Sequence, residues 1–209
     1  MAHHYVSLRD FTGLIEMTRY CVASMGFVAF VLASSTACAA DPASSLFTLS
    51  SPAFSDDGVL PLKYAGGALC GKDSRGGNIS PPLAWSNPPP GTKSFAVVMI
   101  DPDGRRGLGS VHWVAYGIPA ARTSLQEAEG GPAPANDVVE GKNSRGTLGY
   151  TGPCGPAVDA PHHYVIDLIA LDVPPGTLKS GLGRDELLMA IAGHSLGPAS
   201  LVVRYHRTP

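Results

Sequence analysis

Two stretches of this chain leave little room for helix. GGNISPPLAWSNPPPGT at 76–92 and GYTGPCGPAVDAP at 149–161 are too dense in proline and glycine for an unbroken helical ladder. Around them stand short apolar runs rich in β-branched residues: SFAVVMID at 94–101, SVHWVAYGI at 110–118, HHYVIDLIALD at 162–172 and ASLVVRYH at 199–206. Each has the length and composition of a strand. LFTLSS at 46–51 and LPLKYA at 60–65 read as weaker strands. GRDELLMAIAGH at 183–194 carries acids near its start and Leu187, Leu188 and Ile191 on one stripe, the pattern of an amphipathic helix. Strands do not alternate regularly with helices. A mostly antiparallel β-sandwich with a peripheral helix therefore fits better than a doubly wound parallel sheet.

The chain is 44% hydrophobic and 15% charged, a globular balance. The net charge is −2, and the lysines and arginines are scattered apart from the doublet Arg105-Arg106. No concentrated basic face is visible, so nucleic acid is not an expected partner. Met17, Thr18 and Arg19 precede the apolar run YCVASMGFVAFVLA and the small residues SSTACAA. That is the order of a secretory signal, 17–40, with a cut after Ala40; residues 1–16 then read as a mis-called extension. The run is short for a membrane span. Cys38 lacks an aliphatic residue three positions before it, so a lipid anchor is less favoured than a free periplasmic or secreted protein. Cys70 and Cys154 remain after the cut. In an oxidising compartment they either pair or stay as buried thiols, and the spacing does not decide between the two.

Gly193-His194-Ser195-Leu196-Gly197 spells the G-x-S-x-G of a nucleophile elbow. An elbow needs a strand before the serine and a helix after it. Here the expected order is reversed, and no acid follows Ser195. The segment reads as a helix end turning into a strand.

Ionisable groups gather at three other places. Asp101 and Asp103 close an apolar strand in IDPDG, which is also ordinary turn chemistry. His112 lies inside an apolar strand, where a hydrogen-bonded core role competes with a ligand role. His162 and Tyr164, two apart at a strand start, share a face, and His163 points away. Trp85 and Trp113 read as core. No metal-ligand spacing such as H-E-x-x-H is present, and neither a metal nor a cofactor is expected.

In their order and spacing, NISPPLAWSNPPPGTKSFAV, DPD, HWV, GYTGPCGP, PHHYV, LIALDV and ELLMAIAGHSLGPASLVVRYHR resemble the phosphatidylethanolamine-binding protein (PEBP) family, in its bacterial Raf-kinase-inhibitor-like branch. The resemblance spans most of residues 46–207, within an expected domain of 41–209. It implies a Greek-key antiparallel β-sandwich with a C-terminal helix before the last strand. It also implies a small cavity that takes anions, including phosphate-type head groups. By the family motifs, Asp101, His112, Gly152, Pro153, His162 and Tyr164 belong to that cavity, with Asp103 ranked below Asp101. The implied function is binding without catalysis; a hydrolase using His112, His162 and Asp101 is the alternative, although no activated nucleophile is evident. A membrane-surface lipid and a second copy of the chain stay open as partners.

The chemistry is coherent. Imidazoles supply N–H groups and can carry charge near neutral pH. The Gly152 N–H and the Tyr164 hydroxyl would add neutral donors. Asp101 would orient a histidine and could meet the ammonium end of a zwitterion. The chain also departs from the family pattern. Gly104-Arg105-Arg106 follows Asp103 where Ala-Pro is common, Ser110 replaces an aromatic two residues before His112, and His163 stands where Arg is common. Loss of the aromatic wall predicts a more open or more polar pocket.

Overall fold

The computed structural model describes residues 45–71, 74–131, 137–155 and 160–207. The expected signal, 17–40, and the extension before it lie outside these residues. Two sheets carry the fold. The smaller has the order β1-β3-β6, from Thr48–Ser50, Leu83–Ser86 and Ser124–Leu125. The larger has the order β2-β9-β8-β4-β5-β7. Its strands are β2 Gly58–Val59, β4 Ser94–Asp101, β5 Ser110–Pro119, β7 Val139–Glu140, β8 His162–Leu171 and β9 Ser195–Tyr205. All pairings are antiparallel except β2 with β9. This is the mostly β, PEBP-like sandwich that the sequence predicts.

β4 lies between β8 and β5 and is covered on both faces, which is why its sequence is almost continuously apolar. Phe95, Val97 and Met99 point into the core between the sheets. Ala96 and Val98 point the other way, into a second core closed by Leu182, Leu187 and Ile191 of the helix region. The helix itself is Arg184–Ala190, and Glu186 Oε2 accepts the Gly183 N–H at 2.9 Å to finish its first turn. Trp85 meets Phe95 edge-on across the sandwich, with ring centroids 5.2 Å apart. Burying an aromatic side chain of this size contributes roughly 1.5–3 kcal/mol.

The expected strand at 60–65 is not formed. Pro61 sets φ near −59°, and the Tyr64 N–H turns back onto the Pro61 carbonyl at 3.0 Å, so Leu62–Tyr64 is a 3-10 turn. Conversely, β3 lies inside the proline-rich stretch, held to four residues by the prolines that flank it. Ser195 begins a strand directly after the helix and its glycine turn, so it does not sit on an elbow.

Candidate functional site

Everything in the site hangs on the end of β4. Asp101 is only 4% exposed, and each of its oxygens has a role. Oδ1 accepts the Gly104 N–H at 2.8 Å, closing the turn that follows the strand. Oδ2 lies 2.9 Å from His162 Nδ1 and 4.0 Å from His112 Nε2. A Cβ at Gly104 would come within 2.8 Å of Ser110 Oγ and 3.0 Å of Asp101 Oδ2, so a larger residue here would have to displace both side chains.

His112 reaches the carboxylate because β5 is bulged. Met99 pairs with Trp113 and Ile100 with Val111, which leaves His112 as the extra residue. Simple alternation would send His112 and Trp113 to opposite faces. Instead the His112 ring stands edge-on to Tyr164, 5.2 Å between centroids, and Tyr164 belongs to the same core as Trp113. His112 is tied twice to Thr151. Its Nδ1–H donates to the Thr151 carbonyl at 2.7 Å, and its own carbonyl accepts the Thr151 N–H at 2.8 Å. Since a carbonyl can only accept, Nε2 is the nitrogen left for the cavity. Burial pulls the His112 imidazole below its ordinary pKa, outweighing the opposing pull of Thr151 and Asp101. Near neutral pH the ring is therefore neutral, and Nε2 offers a lone pair.

His162 and Tyr164 share a face of β8, as their spacing predicts. The Tyr164 hydroxyl is buried and has no hydrogen-bond partner among the described residues. Burial first, then the nearby Asp101 carboxylate, pushes its ionisation far above the usual phenol range, so it stays a neutral donor. These groups border a cavity of about 320 Å³ that also meets Thr151, Arg105 and Arg145. Among the described residues no group of three His, Cys, Asp or Glu side chains is placed to hold a metal.

Three expected site residues do not line this cavity. Asp103 turns to His163, accepting its backbone N–H at 2.8 Å and facing its Nδ1 at 3.0 Å. Those bonds hold its carboxyl below the usual range. The Gly152 N–H is not free for a ligand, because it donates to Asn78 Oδ1 at 2.8 Å. The Pro153 carbonyl accepts the Gly66 N–H at 2.7 Å. Gly152 serves close approach: a Cβ there would lie 2.5 Å from Gly66 N and Tyr64 O. Cys154, the next residue along, is bonded to Cys70. The loop is thus clamped onto segment 64–78 and presents Thr151 and Cys154 to the cavity.

Residues 50–206 match the family model described as phosphatidylethanolamine-binding protein. The chain belongs to this family. A UPF0098 protein of Methanothermobacter thermautotrophicus is 39% identical over 161 residues, covering 76% of this chain and 98% of that protein. LppC of Mycobacterium tuberculosis, provisionally named a lipoprotein, is 36% identical over 165 residues, 77% of this chain and 73% of its own length. The crystal structure of Escherichia coli YbcL, described as a new member of the mammalian PEBP family, superposes with a TM-score of 0.69 at 31% identity. That superposition covers 78% of this chain and 99% of YbcL.

Within this PEBP domain, sequence reasoning misses Arg145 and Thr151. Arg145 comes from KNSRGTLGY, whose course is set by buried Asn143: its Nδ2 donates to the Gly149 carbonyl at 2.9 Å and its Oδ1 accepts the Arg145 N–H at 2.9 Å. The guanidinium lies 3.1 Å from Cys154 Sγ and has no carboxylate partner among the described residues. An asparagine followed by glycines marks a turn, but not which cavity the turn overlooks. Of the arginine doublet, Arg105 borders the cavity and Arg106 does not.

Proposed function

We propose that this PEBP-family protein is an exported binding protein that holds a small anionic ligand of the phosphate-ester type. One observation carries the reading: Asp101, His112 and His162 converge on a single opening bordered by Arg105 and Arg145. With His112 neutral, the guanidiniums supply the fixed positive charge. The Tyr164 hydroxyl, buried and unpartnered, supplies a neutral donor. Asp101 Oδ2 and His112 Nε2 lie side by side as acceptors, which suits the ammonium end of a zwitterionic head group or a protonated phosphate oxygen.

Binding without turnover is supported by what surrounds the imidazoles. Among the described residues neither ring is hydrogen-bonded to a hydroxyl or a thiol. Of the hydroxyl and thiol groups that line the cavity, Ser144 Oγ accepts the Val111 N–H and Cys154 is held in the disulfide. Export is supported by that disulfide, by the signal-like N-terminus and by the name that LppC carries.

Isothermal titration with phosphoethanolamine tests the reading. Saturable binding is expected without hydrolysis of the ester. His162→Ala should weaken it at least about tenfold, the scale of a hydrogen bond to a charged group. Arg145→Gln, at an exposed position, should cost about two- to fivefold and flatten the salt dependence. Unchanged affinity in both His112→Ala and His162→Ala removes the site.

A further inference from the structure

Beside the cavity lies a larger groove of about 790 Å³. The two share Asp101, Arg105, Ser110, Val111 and Ser144, so they adjoin along these residues. The shared lining is small at position 110, a serine, and Gly107 and Gly146 of the groove have nothing within 4 Å of where a Cβ would stand. The floor is apolar, from Ile100 and Val111, with Leu108, 80% exposed, at the side.

The groove's charges separate into engaged and free. Glu186 Oε2 accepts the Gly183 N–H. Asp185 pairs with Arg184 at 3.0 Å. Asp101 is held by Gly104 and His162. Arg105 and Lys142 also line the groove, and neither has a carboxylate partner among the described residues. Lys142 stands on a fixed backbone, its N–H donating to the Leu182 carbonyl at 3.0 Å and the residue itself bridged to Leu148. Arg105 is placed by two consecutive left-handed residues, Arg105 at φ 52° and Arg106 at φ 61°, which direct the first arginine onto both spaces.

We propose that the groove is a second subsite of the same binding site, and that the ligand is a two-headed anion. One anionic group enters the cavity, the connecting carbons cross the apolar floor, and a second anionic group rests between Arg105 and Lys142. This rests on the anion-binding reading of the cavity. It adds what the cavity alone does not specify: a preference for bisphosphates or similar dianions over simple monoesters.

The test compares propyl phosphate with propane-1,3-diol bisphosphate, and hexyl phosphate with hexane-1,6-diol bisphosphate, by calorimetric titration of the full chain. In the wild type, at least one bisphosphate should bind about tenfold tighter than its monophosphate, the scale of one charge-assisted hydrogen bond. Lys142→Glu should bring that ratio to about one, and Lys142→Arg should keep it near the wild-type value. His162→Ala should weaken all four ligands together. A wild-type ratio near one at both lengths, or a ratio that survives Lys142→Glu, overturns the second subsite and leaves the cavity reading intact. If no ester binds, both readings fall.

Discussion

Two loops border the cavity, and they are built on opposite plans. The loop at 151–155 is locked: a disulfide, the Gly152 N–H on Asn78 and the Pro153 carbonyl on Gly66 pin it to a distant part of the chain. The loop at 104–109 is held mainly at its ends, by Asp101 at Gly104 and by the Gly109 N–H on the Gly104 carbonyl. It carries two arginines in left-handed conformations with no ion-pair partner among the described residues. One loop is fixed in shape, and the other carries unpaired positive charge to the cavity's edge. The contrast teaches that cross-linking and free charge are assigned to different segments around this cavity.

The strongest way to break the contrast is to unlock the rigid side. Cys70 and Cys154 are 84 residues apart, and their cross-link constrains the unfolded chain. Replacing both by serine should lower the unfolding free energy by about 2–4 kcal/mol in urea. It should also broaden the environment of Thr151 and weaken anion binding. Equal stability in the oxidised and reduced proteins would mean the hydrogen bonds alone lock the loop.

A subtler probe lies beneath the same loop. Glu140 is 5% exposed; its Oε2 accepts the Trp113 indole N–H at 3.0 Å, and its Oε1 has no partner among the described residues. Trp113 stands edge-on to Tyr150, next to Thr151. Burial pushes the Glu140 carboxyl up to about 8, against a weaker downward pull from the indole. The folded state therefore holds a proton that the unfolded state releases near pH 4.5. The sign follows: stability is greatest below that pH and declines as pH rises towards 8, by a few kcal/mol. Glu140→Gln should remove this decline in denaturation curves taken between pH 5 and 8. Persistence of the slope would place its origin elsewhere.

The smallest expected effect falls on the charged loop. A left-handed residue with a side chain costs about 1–2 kcal/mol, part of which glycine relieves. Arg106→Gly should raise the melting temperature slightly and leave phosphate-ester affinity unchanged, because Arg106 borders neither the cavity nor the groove. The same change at Arg105 should weaken binding. A loss of affinity at Arg106 would show that the two arginines act as one patch.

Much of this was legible from residue pattern. The runs at 94–101, 110–118 and 162–172 become β4, β5 and β8 within a residue or so, because dense β-branched runs between breakers admit few alternatives. Asp101, His112, His162 and Tyr164 stand out in the sequence as polar groups in apolar strands, and they line one cavity. Asp103, Gly152 and Pro153 do not line it. Their partners, His163, Asn78 and Gly66, are remote in the chain or on the far face of a strand, and such pairings leave no local mark. Arg145 went unnoticed for the same reason.

The bulge at His112 reaches further than the site it serves. A strand with strict alternation has to divide its side chains between core and surroundings. One supernumerary residue lets β5 keep Trp113 in the interior and still spend its neighbour on recognition. Shortening the strand by that residue would restore a continuous ladder with β4 and remove the imidazole that Thr151 holds at the cavity.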